Sequence, residues 1–396
     1  MKIRILAIFC FSALLTHAQN WTPIADLPSG RHHPVGWGLN GKGYVATGTN
    51  TADVPTADFY EYDPNTDSWS TLPNFPGTAR SFAIGVTYQG SGYMGFGATR
   101  FNYLNDLWRF DPSTMQWTQL ASCPCSGRRH PAMIARGGKI YAGLGDDASG
   151  NLRDFWVYDI ATNSWSALPD IPALGRHHPF QFVAGNQVFA GMGHNGPFIF
   201  NDWFKLDTVT NNWVIMSDFP GEARVAGTQF DFNGDGYVLS GDGDNHSFMP
   251  TGEFWQYDYN TDTWTQLTPH PGVSRWAPGS FVIGNEAFFF GGTNRQNGTY
   301  PSTAYKYPLA PSGVGLDESG LADLQLFPNP ASDFLRWDTK TEISEIRLLN
   351  GTGQQVKSYH KPDHRINLEG LVPGMYFVQF LNAQGILHTE RLLISQ

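Results

Sequence analysis

The chain has 396 residues, with 44 glycines, 14% aromatic residues, only 15% charged residues and a formal net charge of −10. Low charge combined with many aromatic residues and glycines is typical of short strands joined by tight turns, and it argues against a disordered or coiled-coil protein. The acidic balance also argues against the basic surface that nucleic-acid binding requires, so we expect no nucleic-acid partner.

The first residues have the pattern of an export signal. Lys2 and Arg4 precede an apolar run at 5–15, and Thr16-His17-Ala18 follows it. This pattern predicts a signal peptide over residues 1–18, cleaved after Ala18. The run is too short to span a bilayer and no other stretch approaches that length, so we expect no transmembrane segment. The mature protein is predicted to be exported and monomeric.

A repeated unit fills the chain from about residue 21 to residue 308. Equivalent tryptophans recur at intervals of 48 residues, with a last interval of 51, and a period near 50 is the signature of a repeat array. An arginine begins each of the six copies, and a glycine follows it seventeen residues later. The tryptophans are Trp21, Trp69, Trp117, Trp165, Trp213 and Trp264.

Each copy is predicted to form four short antiparallel strands. In the third copy the expected strands cover about 130–135, 139–144, 154–158 and 164–168, with turn residues between them. One such sheet cannot bury both of its faces, so the copies must stack on one another.

The repeated residues resemble those of kelch repeats. The resemblance lies in the glycine-rich end of the second strand, an aromatic–aspartate pair, and a tryptophan six residues after that aspartate. It implies an all-β fold, a six-bladed β-propeller over residues 19–309, with the tryptophans between adjacent blades and the first strands around a central channel. The last copy contains only three strands, so we expect residues 21–26 to supply the fourth and close the ring, which removes exposed edges.

The carboxy-terminal part has a different composition. Residues 310–323 are a predicted linker, and alternating strands with turn signals over residues 324–396 predict a small immunoglobulin-like β-sandwich. Phe327-Pro328-Asn329-Pro330, Asn350-Gly351-Thr352-Gly353, Leu371-Val372-Pro373-Gly374-Met375-Tyr376 and Arg391-Leu392-Leu393-Ile394 resemble the sorting domain of the Bacteroidetes type IX (Por) secretion system. The resemblance implies outer-membrane passage by that machinery and a secreted or cell-surface location. The alternative is an ordinary terminal module of the same fold.

Cys123 and Cys125, separated by Pro124, are the two cysteines left after signal-peptide removal. Two cysteines cannot form a disulfide framework, so stability must come from packing. We expect two free loop thiols; the alternatives are a small disulfide ring and a metal or redox role.

The candidate binding site is one end of the propeller. Because antiparallel strands alternate in direction, the start of the first strand and the loop after the second strand meet at the same end of each blade. This places arginines, histidines and carboxylates at the channel mouth, in a cationic, aromatic-lined funnel for a polyhydroxylated or anionic ligand. The predicted ligand-binding residues are Arg31, His33, Arg80, Arg128, His130, Asp146, Arg176, His178, His194, Asn195, Arg224, Asp242, His246, Arg275 and Trp276.

An architectural role competes with this interpretation. An arginine and a histidine at the start of a blade can also satisfy buried carbonyls and carboxylates. Repetition in all six copies favours that role for any single arginine, because function usually lies in what differs between repeats. The loops after the second strands do differ, so we expect them to carry most of any recognition.

Two functions remain open at this point. The first is a non-catalytic binding module for a glycan or a protein, which the absence of nucleophile, phosphate-loop and dinucleotide motifs favours. The second follows from resemblance to bacterial sialic-acid mutarotases and implies a sugar mutarotase or epimerase with His130, His178, Asp146 and Arg176 as candidate acid–base residues. Histidines near aspartates can also bind a divalent ion, but no helical His-x-x-x-His spacing is present, so we expect no metal and no cofactor.

Overall fold

The computed structural model describes residues 20–309, 325–328, 331–338, 343–350, 355–382 and 385–394. The expected signal peptide at 1–18 and the expected linker at 310–323 lie outside these residues. Within the described part, no helix has the length and apolar character that a membrane span needs.

Residues 20–309 form six antiparallel four-stranded sheets, one for each repeat, which are the blades of a propeller. Tight hairpins join the first and second strands because residues such as Asn40-Gly41 and Gly137-Gly138 adopt the positive φ that such turns require. In chain order the strands are Val35–Leu39, Lys42–Ala46, Phe59–Asp63 and Ser68–Leu72 in blade 1; Ile84–Tyr88, Ser91–Gly95, Leu107–Asp111 and Gln116–Leu120 in blade 2; Ala132–Arg136, Lys139–Gly143, Phe155–Asp159 and Ser164–Leu168 in blade 3; Phe180–Ala184, Gln187–Gly191, Trp203–Asp207 and Asn212–Ile215 in blade 4; Thr228–Phe232, Asp235–Leu239, Gly252–Asp258 and Thr263–His270 in blade 5; and Gly279–Ile283, Glu286–Phe290 and Ala304–Pro308 in blade 6.

The strands of blade 3 lie within two residues of the expected positions. The largest difference is at the first strand, which begins at Ala132 rather than His130. His130 has a φ of 49°, outside the range of a strand, and Pro131 follows it. The residues just before the first strand therefore belong to the channel mouth and not to the sheet.

The repeated tryptophans pack between blades, as the kelch resemblance implied. Trp117 of blade 2 packs on Trp37 and Phe59 of blade 1, with ring centroids 5.8 and 5.4 Å away. The other five tryptophans make equivalent contacts with the preceding blade, which buries a large apolar area at each interface. The contact pairs are Trp165 with Phe96, Trp213 with Phe155, Trp264 with Trp203, Trp69 with Phe290, and Trp21 with Phe254.

The amino-terminal strand closes the ring. Thr22–Ile24 pairs antiparallel with Ala304–Pro308, placing Thr22 opposite Lys306 and Ile24 opposite Ala304. The Trp21 indole also donates a hydrogen bond to the carbonyl of Thr268 in blade 5, at 2.9 Å. Blade 6 is thus completed by the first described residues of the chain, which pair with the outer edge of Ala304–Pro308.

A circle of backbone hydrogen bonds joins the six blades. In each blade the glycine after the second strand donates its N–H to the carbonyl of the arginine that begins the next blade, and Gly292 returns to Arg31. These glycines have φ between 78° and 102°, and a Cβ on Gly145 would lie 2.5 Å from the Arg129 carbonyl, so no other residue fits. The remaining pairs are Gly48 to Arg80, Gly97 to Arg128, Gly145 to Arg176, Gly193 to Arg224 and Gly241 to Arg275.

The tail forms a second all-β unit of two sheets. Apolar side chains from both sheets, among them Leu335, Ile366, Ile346 and Leu392, pack into one buried cluster. The three-stranded sheet contains Gln325–Phe327, Phe334–Asp338 and Arg365–Asn367, and the four-stranded sheet contains Gln355–His360, Glu345–Asn350, Gly374–Asn382 and Gly385–Ile394. The unit is therefore the expected small β-sandwich.

Cys123 and Cys125 form a disulfide, so the expectation of free thiols is wrong. The turn at Pro124 brings their Cα atoms to 5.1 Å, within the range that a disulfide spans. Both side chains are buried in the interface between blades 2 and 3, which is why packing brings the two sulfurs together.

Deleting residues 20–30 tests the closure. We expect the melting midpoint to fall by about 10 °C or more, because loss of a packed tryptophan alone costs about 3–5 kcal/mol and each kcal/mol shifts the midpoint by roughly 2–4 °C. Calorimetry of the full chain and the deletion variant measures this. A peptide with the sequence of residues 20–30, added in excess, should restore part of the lost stability. An unchanged midpoint in the deletion variant contradicts the closure.

Candidate functional site

The six repeated arginines are buried inside their own blades. Arg128 donates from Nε to the Ser126 carbonyl, and from Nη1 to the Leu144 carbonyl at 3.0 Å. Its two terminal nitrogens also contact both carboxylate oxygens of Asp154, at 2.7 and 2.9 Å. Such a bidentate pair fixes geometry as well as charge. The guanidinium therefore clamps the start of the blade to the end of its second strand and to the start of its third strand.

Arg31, Arg80 and Arg176 make the same contacts. Arg224 bonds the Glu222 carbonyl and one oxygen of Glu253, and its buried Nη1 has no hydrogen-bond partner among the described residues. Burial raises the pKa of Asp58, Asp106 and Asp154, but hydrogen bonds and charge from the arginines outweigh it and hold each pKa below its usual value. Because these guanidinium groups are buried and paired, the geometry favours the architectural interpretation for them. The pairs are Arg31 with Asp58, Arg80 with Asp106, Arg176 with Asp202, and Arg224 with Glu253; Arg275 instead bonds the Thr303 hydroxyl.

The residue two positions after each arginine points into the channel. All six of these residues have φ between 49° and 61°, a left-handed conformation that costs about 1–2 kcal/mol for a residue with a side chain. Backbone hydrogen bonds between neighbouring blades stabilise this left-handed conformation. For example, the His33 N–H donates to the Ala277 carbonyl at 2.8 Å. The six residues, which we call the channel ring, are His33, Phe82, His130, His178, Ala226 and Ala277.

Three histidines of the channel ring meet at the channel axis. His33 and His178 come from opposite blades, and their Nε2 atoms are 3.1 Å apart. The His130 ring lies against the His178 ring, with centroids 3.5 Å apart, and the Phe82 ring is 4.6 Å from both His33 and His130. These four side chains fill two-thirds of the ring, whereas the two alanines leave the remaining third open.

More histidines surround this group on the outer side. His32 contacts His33, His177 packs against His194 with ring centroids 3.8 Å apart, and His246 follows at 4.7 Å from His194. Burial lowers the pKa of His33, His130 and His178 well below its ordinary value, and neighbouring imidazoles lower it further. The charge of Arg129 adds to this effect at His33 and His130. Burial also lowers the pKa of His32 to about 4 and that of His194 to about 3. The imidazoles of His32, His33, His130, His178 and His194 are therefore neutral at pH 7.

A cavity of about 130 Å³ lies in the channel behind the three histidines. First-strand residues of several blades line it, including Gly36, Ile84, Gln181, Thr228 and Ser280. Since a water molecule occupies about 30 Å³ and pockets for small molecules usually exceed about 300 Å³, this space fits a few waters and not a sugar. A larger ligand must therefore bind outside the histidines, on the loop face.

The loops after the second strands contact one another around the channel mouth. Asn151 donates to the Asn195 side-chain oxygen at 3.0 Å, His246 Nε2 lies 3.1 Å from the Gly196 carbonyl, and Arg295 donates to the His246 carbonyl at 3.2 Å. Tyr300 reaches Asp53, and the Arg129 guanidinium lies 5.2 Å from the Tyr103 ring centre. We call this surface, which comprises residues 49–58, 98–106, 146–154, 194–202, 242–253 and 293–303 together with Arg129, the loop collar.

Arg129 and Arg295 are accessible at the mouth, unlike the six repeated arginines, and Arg100 and Arg153 in the same loops are exposed as well. Arg129 bonds Asp146 and is 36% exposed, and Arg295 lies 2.9 Å from an Asp242 oxygen and is 37% exposed. Burial raises the pKa of Asp242 to about 6, against the opposing charge of Arg295. Arg295 also lies over the Trp276 ring, at 4.9 Å. The cationic groups of this face are therefore its accessible arginines and not the six repeated ones.

Exposed apolar side chains stand at the tips of the same loops. Phe101 in blade 2 is 86% exposed, and Phe198 in blade 4 is 67% exposed. Phe248 in blade 5 is a third exposed aromatic residue of the loop collar. Exposed aromatic groups around a polar centre mark a binding surface more often than they mark packing.

The structure brings together part of the predicted site. His33, His130, His178, His194, Asp146 and Trp276 lie around the channel mouth, and Asn195, Asp242 and His246 lie in the loop collar. Arg31, Arg80, Arg128, Arg176, Arg224 and Arg275 are buried away from it.

Sequence reasoning missed two groups of residues. The first is Arg129, Arg295 and the exposed aromatic residues of the loop collar, which stand where the repeats differ. The second is the acidic partners of the arginines, and the signal for these was available: an aspartate recurs 26 residues after Arg80, Arg128 and Arg176.

Comparison with known proteins agrees with both parts of the fold. Residues 127–172 match the kelch motif, and residues 325–395 match the secretion system C-terminal sorting domain. The solved structure of YjhT aligns with a TM-score of 0.58, covering 71% of this chain and 95% of that chain at 16% sequence identity.

The chain combines a kelch β-propeller with a type IX sorting domain. The sorting domain indicates export through the type IX secretion system, to the medium or the cell surface.

One curated relative matches part of the chain. N-acetylneuraminate epimerase of Pasteurella multocida (strain Pm70) is 34% identical over 87 residues, which is 21% of this chain. The match spans about a fifth of that relative's length, 22%.

Blade 6 offers a test of the arginine clamp, because Thr303 replaces the carboxylate there. Burial lowers the pKa of Arg275 to about 10, although neighbouring groups raise it. We expect Thr303→Asp to raise the melting midpoint by supplying the missing charge, and Thr303→Val, of the same shape, to lower it by removing the 2.8 Å hydrogen bond. Thermal unfolding at pH 7 measures both. A lower midpoint in Thr303→Asp contradicts the clamp.

Proposed function

We propose that the loop collar binds a carbohydrate, and that the protein is an exported binding module rather than an enzyme. The observation that carries this proposal is the combination of exposed aromatic tips with two accessible arginines around one mouth. Phe101 and Phe198 are largely exposed, while Arg129 and Arg295 are about one-third exposed.

The chemistry of these groups matches a sugar. The C–H faces of a pyranose pack on aromatic rings, and Trp and Phe side chains offer such faces at low entropic cost. Hydroxyl and amide oxygens of a sugar accept hydrogen bonds from guanidinium and carboxamide groups, which Arg129, Arg295, Asn151 and Asn195 supply. Both arginines are held in place by a carboxylate, so little ordering is needed when a ligand binds.

The charge distribution favours one negative group on the ligand and not many. The chain carries a net charge of −10, and five of the six repeated arginines are neutralised by an acidic partner in the same blade. A polyanion would meet this acidic field. A single carboxylate, by contrast, can bond Arg129 or Arg295 directly.

The partial relative supports the same ligand class. N-acetylneuraminate, the compound in that relative's name, is a sugar with one carboxylate and one N-acetyl group. The similar segment covers 21% of this chain. We therefore propose an acidic sugar, free or at the end of a glycan, as the ligand.

A sugar epimerase or mutarotase is the second candidate, and the named relative is the observation that favours it. The side chains that the sequence suggested as acid–base residues are poorly placed for catalysis on the loop face. Arg176 is buried on Asp202, and His130 and His178 lie beneath the loop collar in the channel ring. Asp146 is held by Arg129 and His130. Proton transfer to a ligand on the loop face would need an accessible group instead, such as His177 or His194.

Isothermal titration of the full chain with N-acetylneuraminate and with N-acetylmannosamine tests the binding proposal. We expect saturable binding of the acidic sugar and weaker binding of the uncharged one. Arg129→Gln and Arg295→Gln should each weaken binding of the acidic sugar about 10- to 100-fold, because a hydrogen bond to a charged group contributes about 1.5–3 kcal/mol. The neutral sugar should be affected much less.

Arg109→Gln is the matched control, because Arg109 lies on the third strand of blade 2, outside the loop collar. Its affinity for both sugars should equal that of the unaltered chain. Absence of saturable binding to either sugar and to an array of acidic glycans contradicts the proposal.

Exchange NMR separates the two candidates. When the protein is added to N-acetylneuraminate, we expect the two anomers of the sugar to interconvert at the uncatalysed rate. Acceleration that is lost in His177→Gln or His194→Gln would contradict the binding-module proposal and support the enzyme.

A further inference from the structure

The three histidines of the channel ring have the arrangement of a metal-binding site, which is independent of sugar binding on the loop collar. His33, His130 and His178 each offer one ring nitrogen, and these nitrogens lie within 4.8 Å of one another. Two nitrogens bound to one tetrahedral ion at about 2.0–2.1 Å lie about 3.3 Å apart. The distance of 3.1 Å between His33 Nε2 and His178 Nε2 is close to that value.

Each of the three rings is oriented by a partner at its other nitrogen. His130 Nδ1 lies 3.3 Å from Asp146, whose second oxygen is bonded by Arg129. His33 Nδ1 contacts His32, and His178 Nδ1 contacts His194 Nε2 at 3.3 Å. A carboxylate that accepts a hydrogen bond from Nδ1–H leaves the Nε2 lone pair free for a metal, which is the usual arrangement around metal-binding histidines.

One ring nitrogen of these three histidines takes no part in the hydrogen bonding of the described residues. His130 Nε2 is buried and has no hydrogen-bond partner among the residues that the structure describes. The His130 side chain is only 7% exposed, so water from the bulk does not replace the missing partner. A buried polar atom without a partner costs free energy, and a metal ion would remove that cost.

The surroundings supply the rest of a coordination sphere. All three histidines line the channel cavity of about 130 Å³, which has room for water as a fourth ligand. Gln181, on the same wall, has a buried side-chain oxygen without a hydrogen-bond partner among the described residues. Three imidazoles with an open position suit Zn²⁺, Co²⁺ or Cu²⁺ rather than Mg²⁺ or Ca²⁺.

We propose that His33, His130 and His178 bind one divalent transition-metal ion on the channel axis, with Asp146 positioning His130. The ion would join three of the six blades at the centre of the propeller. This proposal differs from the sequence-based expectation of no metal, which followed from the lack of any helical histidine spacing. The ligands come from separate blades, 97 and 48 residues apart in sequence, and the left-handed backbone of the channel ring brings them together.

Metal titration tests the site directly. The full chain, produced without a polyhistidine tag and stripped with a chelator, is titrated with ZnCl₂ and with CoCl₂ in a calorimeter. We expect one ion per chain, a higher melting midpoint with Zn²⁺, and the intense visible absorption of four-coordinate Co²⁺. His33→Gln, His130→Gln and His178→Gln should each weaken binding at least 100-fold.

Two further variants keep the result interpretable. Asp146→Asn leaves the three ligands intact and should weaken binding about 10- to 100-fold, as loss of such a partner does. His360→Gln, at an exposed position in the tail, is the matched control and should bind as the unaltered chain does. Circular dichroism of the stripped proteins checks that each variant is folded.

Two outcomes would overturn the assignment. One is no binding of Zn²⁺ or Co²⁺ by the folded, stripped chain. The other is binding that survives His33→Gln but is lost in His194→Gln, which would place the ion among His177, His178 and His194.

Discussion

The buried arginine at the start of each blade is the constraint on which the rest of the propeller depends. Its guanidinium holds its own blade through a backbone carbonyl and, in five blades, a carboxylate, while its carbonyl accepts the N–H of the preceding blade's glycine. One residue thus ties local structure to ring closure. Removing one partner of a buried ion pair typically costs about 3–5 kcal/mol, so the five paired positions are under strong structural constraint. This explains why the arginines are invariant among the repeats and yet unavailable to a ligand.

The same clamp allows the adjacent positions to vary. Because the arginine and its hydrogen bonds fix the backbone, the next two residues point to the channel mouth whatever their side chains are. Blade 1 uses them for His32 and His33, blade 3 for Arg129 and His130, and blade 5 only for Val225 and Ala226. The repeat therefore supplies a rigid frame, and differences between blades give the mouth its histidines on one side and the two alanines of the channel ring on the other. The proposed sugar and metal sites both depend on these differences.

Much of the fold was predictable from sequence because its signals are local turn residues or the number of strands in each repeat. Turn residues such as Gly137-Gly138 mark the hairpins, and the shortage of one strand in the last copy indicated that the segment at Trp21 closes the ring. The site was harder to predict. Nothing in the preferences of Phe82 or Ala226 indicates a left-handed backbone, which is imposed by hydrogen bonds between blades. Burial of the arginines likewise depends on carboxylates 26 or more residues away, such as Asp154.

The central claim is that hydrogen bonds to the arginine carbonyls join the blades into a ring. Amide hydrogen exchange at the six glycines that follow the second strands tests this claim most directly. The amides of Gly48, Gly97, Gly145, Gly193, Gly241 and Gly292 stand in loops, yet each donates to an arginine carbonyl of the next blade. In NMR spectra of the full chain labelled with ¹⁵N-glycine, the account predicts that these six amides exchange as slowly as the central strands, through global unfolding. Exchange at the rate of the other loop glycines, such as Gly196 and Gly298, would contradict it.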